Sequence, residues 1–172
     1  MSLTRASLAV LAVAAFAACG ASAGGQSPSS CAGSQLSARF AVVPGSAGAG
    51  NIVYALTLKN ISTKTCTVTG LPQGRLLGLH GRKLPTRIHA SFPAGLTAVL
   101  VRLAPGKSAR ATARFSPDVP GVGEGSPGRS CEPKAYTLRV SLAGGGTTNA
   151  KLAPATPVCE HGALAFSAYG PR

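Results

Sequence analysis

The chain has 172 residues, room for one ordinary domain and a short appendage. Its hydrophobic content is 45%, but much of that is alanine, Trp is absent, and 22 Gly with 13 Pro leave little room for long helices. Seventeen Lys and Arg against four acids give a net charge of +13, which favours anionic surfaces such as lipid head groups, wall polymers or nucleic acid. The acids (Asp118, Glu124, Glu132, Glu160) all fall in the last third of the chain. An arginine-rich exterior also keeps an alanine-rich domain in solution, so the charge alone names no partner.

Residues 1–18 read as a lipoprotein signal peptide: one early cation, Arg5, then the apolar run ASLAVLAVAAFAA. That run is shorter than the ~20 residues a membrane-spanning helix needs. It ends in Phe16-Ala17-Ala18-Cys19, similar to a bacterial lipobox with Phe16 where leucine is usual, which makes Cys19 the expected lipid-attachment site. The competing cleavage follows Ala21-Ser22-Ala23 and would release a freely secreted protein. Residues 19–30, rich in Gly, Ser and Ala, read as a flexible tether, and 31–172 as a single domain.

Within that domain, apolar and polar residues alternate in the period of half-buried strands. Leu36, Ala38, Phe40 and Val42 share one face of a first strand. The stretch Gly50–Pro72 predicts a hairpin: Ile52, Tyr54, Leu56 and Leu58 facing a core, a turn at 60–63, and a second strand at Cys66. Arg75–Leu79 predicts a short hairpin arm turning at His80-Gly81, and 85–95 a loop. Strands follow at 97–103 and 108–115, the latter with Ala109, Ala111, Ala113 and Phe115 opposite Arg110 and Arg114. After a Pro/Gly-rich excursion over 116–130, Tyr136, Leu138, Val140 and Leu142 mark a strand, 144–146 a turn and 163–169 the last strand.

Seven or more short strands predict an all-β, two-sheet antiparallel β-sandwich of immunoglobulin-like type, with a small closed barrel as the alternative. Setting Cys19 aside leaves four cysteines and three pairings. Cys31–Cys66 and Cys131–Cys159 are the expected ones, since each joins neighbouring strand regions across a moderate loop. Each would stabilise the fold by roughly 3–4 kcal/mol on the chain-entropy account.

These residues resemble a known family. Cys31, Gly50-Asn51, Leu58-Lys59-Asn60, Thr65-Cys66-Thr67-Val68, Gly70-Leu71-Pro72, Leu103-Ala104-Pro105-Gly106 and the Cys131 and Cys159 pair look like the domain of unknown function 4232. The resemblance covers about Cys31 to Tyr169. It implies an extracytoplasmic β-sandwich of the kind found in actinobacterial secreted proteins and lipoproteins, and brings no catalytic residues.

Motifs for catalysis are missing. There is no Gly-x-Ser-x-Gly elbow and no pair of acids close in sequence. His80, His89 and His161 lack metal-ligand spacing, and no C-x-x-C occurs, so no metal or cofactor is expected. The candidate anion contacts are Arg75, Arg82, Lys83 and Arg87 in one hairpin and loop, and Arg110 with Arg114 on one strand face. No aromatic is interleaved with them for base stacking, which argues against nucleic acid. The expected function is a non-catalytic cell-envelope lipoprotein, a binding module held to the membrane by its N-terminal lipid and touching an anionic wall polymer, head groups or an envelope protein. The alternative is a secreted enzyme or small-ligand carrier with a site in loops 85–95 and 116–130.

Overall fold

The computed structural model describes residues 27–95, 97–125 and 131–172. The signal peptide, Cys19 and most of the tether lie outside them. Ser29 and Ser30, at the tether's end, are already tied to the fold, for Thr67 N–H donates to Ser29 O and Cys31 N–H to Thr67 O, both at 2.9 Å.

The class is all-β. Among the described residues eleven strands follow in order: β1 (Leu36–Val42), β2 (Ile52–Asn60), β3 (Cys66–Val68), β4 (Gln73–Leu77), β5 (Arg87–Ala90), β6 (Val101–Leu103), β7 (Ser108–Phe115), β8 (Ala135–Ser141), β9 (Thr147–Thr156), β10 (Ala163–Phe166) and β11 (Gly170–Pro171). Nine form one sheet, in the order β4-β8-β9-β1-β2-β7-β10-β5 with β11 on β7; β3 and β6 make a separate ribbon.

This corrects the expected pairing in two respects. The sheet is mixed, because β1 runs parallel to β9 and β5 parallel to β10; alternation reports which face is buried but not strand direction. The sheet also curls until the segment leading into β5 reaches β4. β4 and β5 are its two ends, yet Leu84 N–H donates to Leu76 O at 3.0 Å and Leu76 N–H to Thr86 Oγ1 at 2.9 Å. The result is a nearly closed barrel.

β2 and β3 do not form the predicted hairpin. β2 is central, between β1 and β7, whereas β3 pairs with β6. Inside, the alternation holds: Phe40, Tyr54, Leu56 and Leu58 are fully buried, as are the inward alanines of β7. Those alanines leave space for rings, and Tyr54 sits between Phe40 and Phe115 with centroids 5.2 and 5.1 Å away. Tyr136, in phase along the sequence with the buried Leu138 and Val140, is exposed. An irregularity between Ala135 and Thr137 shifts the register, burying Ala135 instead.

β9 and β5 were not foreseen as strands. β9 offers only Ala150 and Leu152 to the core and contains Pro154, which sits in the irregular stretch where β8 pairing is interrupted. Both expected disulfides form: Cys31–Cys66 ties the start of the domain to β3, and Cys131–Cys159 ties the end of the 116–130 excursion to a four-residue turn, α1 (Cys159–Gly162).

Candidate anion-binding face and its surroundings

In β1, β2 and β7 the residues between the buried ones point outward, and on this barrel they are strongly basic. The register aligns Lys151 of β9 with Arg39 of β1, Arg39 with Thr57 of β2, and Thr57 with Arg110 of β7. Adjacent strands lie ~4.8 Å apart, so three cations occupy one row about 14 Å wide. Lys59 lies two residues along β2 from Thr57, on the same outward face and also exposed. Arg39, Lys59, Arg110 and the C-terminal Arg172 line a shallow groove of about 450 Å³, with Ser37, Thr57 and Ser108 supplying polar groups between them.

Among the described residues, no Asp or Glu side chain balances this face. None lines the groove, and among the described residues the only side-chain ion pair is His161–Glu124, elsewhere on the molecule. Like charges directly opposite on neighbouring strands repel. The Arg39–Lys151 pair therefore gains from any anion placed above it.

The cations anticipated from sequence divide. Arg110 belongs to the groove, and Arg114 lies exposed on the same face of β7, in register with Val53 and Ala165. Arg75 faces Arg139 across β4 and β8. Arg82 and Lys83 belong instead to the β4–β5 connection, and Arg87 opens β5. Arg82 acts electrostatically on Glu132, Lys83 pairs through its backbone with Leu77, and Arg87 Nη2 donates to Glu160 O at 3.2 Å. Arg39, Lys59, Lys151 and Arg172 were missed. The outward parity of Arg39 and Lys59 was visible in the alternation, but nothing local announced that β1, β2, β7 and β9 are neighbours.

Two cavities bear on the alternative of a carrier or enzyme site. One of about 200 Å³ borders the 85–95 segment between Phe92 and Ser167 and carries neither histidine nor acid. Another, of about 290 Å³, is lined by Cys31, Val68, Leu71, Gln73, Leu142 and Tyr169 among others, far in sequence from both loops. The Tyr169 hydroxyl is buried there without a hydrogen-bond partner.

The 116–130 excursion behaves differently. Glu124 and Glu132, eight positions apart in sequence, are brought together with His161, so an acid pair exists that spacing alone did not disclose. Burial by itself would raise the Glu124 carboxyl; amide donors from Gly121, His161 and Glu160, with the His161 ring, outweigh it and hold it below its usual value. Burial, then the neighbouring Glu124, pushes Glu132 up.

The model of the family described as Domain of unknown function (DUF4232) matches residues 31–169. The chain belongs to this family. The match begins at the first disulfide cysteine and ends at Tyr169, so the DUF4232 domain includes the whole barrel apart from β11. No curated protein and no solved structure is significantly similar to it. Among the described residues, no helix of the DUF4232 domain is long and apolar enough to cross a membrane.

Proposed function

We propose that this DUF4232 domain is a non-catalytic binding module of the cell envelope, held to the outer face of the membrane by a lipid on Cys19 and contacting polyanions through the outer face of β9, β1, β2 and β7. The observation that carries the reading is the acid-free row Lys151–Arg39–Thr57–Arg110, flanked by Lys59. A row of cations on adjacent strands matches repeating phosphates or carboxylates, whether on head groups or on an anionic wall polymer. The groove lining holds no aromatic residue for base stacking, which sets nucleic acid aside as the partner. For the fold, an immunoglobulin-like two-layer packing stays a proposal. Its support is that Leu76 and Leu138 share one core cluster with Tyr54 and Ala111; a solved structure with continuous pairing through β4 and β5 would favour a barrel.

The test is co-sedimentation at low salt with anionic vesicles, neutral vesicles and isolated wall polymer. Reversing Arg39, Arg110 and Lys151 to Glu should weaken binding to the anionic targets more than about tenfold, given ~1 kcal/mol per cation near such a surface. Reversing Arg82, Lys83 and Arg87 should change it little. Equal loss in the two triple variants, or none in the first, counts against the face. In cells, Cys19→Ala should move the protein to the soluble fraction; continued membrane retention counts against the lipid.

A further inference from the structure

The Glu124, Glu132 and His161 group lies outside the basic face, on the opposite chemistry, and its geometry is unusual for a chain with four acids in 172 residues. The side chain of Glu124 is only 3% exposed. Its Oε2 accepts from Gly121 N–H at 2.8 Å and its Oε1 from His161 N–H. The carboxylate is thus fixed by backbone donors and has no freedom to turn away.

The imidazole is fixed as well. His161 Nε2 lies 3.1 Å from Val122 O. A carbonyl oxygen only accepts, so Nε2 carries the hydrogen, and in the neutral ring the lone pair sits on Nδ1. That lone pair is 3.4 Å from Glu124 Oε1, itself an acceptor. A carboxylate oxygen of Glu132 completes the group, in which one ligand atom from each of the three residues lies within 4.8 Å of the others. Three electron-pair donors converge, and something positive belongs between them.

A tetrahedral cation bonded to nitrogen at ~2.0–2.1 Å and oxygen at ~2.0–2.2 Å sets its ligand atoms about 3.4 Å apart. The Nδ1–Oε1 separation already has that value. We propose that Glu124, Glu132 and His161 bind one zinc-class divalent cation, with water as the fourth ligand. One imidazole with two carboxylates suits this class, whereas Ca²⁺ and Mg²⁺ prefer oxygen alone. The Val122 carbonyl and the Gly121 amide are the outer contacts that such a site needs to orient its ligands.

The local backbone is organised to hold these ligands. Glu132 follows Cys131, and His161 lies two residues after Cys159, so the Cys131–Cys159 disulfide anchors both. Glu160 and His161 take left-handed φ values of 55° and 57°, which turn the His161 amide and ring toward Glu124. Gly162 packs so closely on the Pro85 carbonyl that no side chain fits there. The cation would join the excursion to the α1 turn beside the disulfide, with the half-exposed His161 leaving the water position open to solvent.

The competing occupant is the proton: an imidazolium paired with Glu124, and a proton shared by the two carboxyls. Calorimetric titration of the untagged, chelator-stripped protein with Zn²⁺ separates the two, alongside Co²⁺ titration followed by its visible absorption. The expected result is one Zn²⁺ per chain, an intense tetrahedral Co²⁺ spectrum, and no competition from Ca²⁺ or Mg²⁺. Glu132→Gln and His161→Asn should each weaken Zn²⁺ at least about tenfold, while His89→Asn leaves it unchanged. Circular dichroism confirms that each variant is folded. Absence of saturable Zn²⁺ binding to the wild-type protein overturns the proposal, as does binding that survives both substitutions or falls equally with His89→Asn.

Discussion

Tyr54 and Tyr169 are both buried, and their hydroxyls meet opposite fates. Tyr54 Oη–H donates to Pro154 O at 2.8 Å, across the barrel from β2 to β9. The Tyr169 hydroxyl has no protein partner. A buried hydrogen bond adds about 1 kcal/mol net, while an unsatisfied hydroxyl costs at least as much. Tyr54→Phe should therefore lower unfolding free energy by about 1 kcal/mol, and Tyr169→Phe should raise it by a similar amount. Denaturant unfolding monitored by circular dichroism decides; a destabilised Tyr169→Phe would show that the hydroxyl has found a partner in the cavity beside it. Burial also pushes both phenols up from their ordinary value. Each then keeps its proton in the folded chain at a pH where the unfolded chain has lost it. Their effect on stability is nil below about pH 10 and becomes unfavourable as pH rises beyond it. Tyr169→Phe should flatten that alkaline decline, and an unchanged slope would contradict the assignment.

At the scale of elements, Asn60 shows what alternation cannot convey. It ends β2 wholly buried, and its Nδ2 donates to Lys64 O at 2.8 Å and Leu103 O at 2.9 Å. Its Oδ1 accepts from Ser62 N–H at 2.9 Å. One side chain thus closes the turn after β2 and holds the end of β6. The turn role was readable from Asn60-Ile61-Ser62, but the long-range bond to Leu103 was not. Asn60→Ala should cost about 3 kcal/mol, several groups being left unpaired, as measured by chemical denaturation; a loss under ~1 kcal/mol would mean that water replaces the amide. Burial faces were legible throughout β1, β2 and β7, because a period of two marks them directly. Pairing was not. Strand neighbours are set by contacts distant in sequence, so the parallel β1–β9 ladder and the separation of β3 from β2 left no local trace. β9 escaped notice because a strand with two inward residues and a proline carries almost no alternation signal.

At the scale of the whole molecule, the charge is sorted. Cations from four neighbouring strands share one face without Asp or Glu side chains, while Glu124 and Glu132 gather with His161 beside the Cys131–Cys159 disulfide. The cysteine pairing was legible from loop lengths, and the cation excess from composition. The grouping of Arg39, Lys59, Lys151 and Arg172 with Arg110 needed the fold, as did the meeting of two glutamates across a loop. The measurement that tests the central claim most directly is residue-resolved NMR of the 15N-labelled domain titrated with a soluble polyphosphate at low salt. The account predicts that the largest amide shifts fall on Lys151, Arg39, Thr57, Lys59 and Arg110, and fade as added salt shortens the screening length. Shifts centred on the Arg82–Arg87 connection, or spread evenly over all exposed cations, would contradict it.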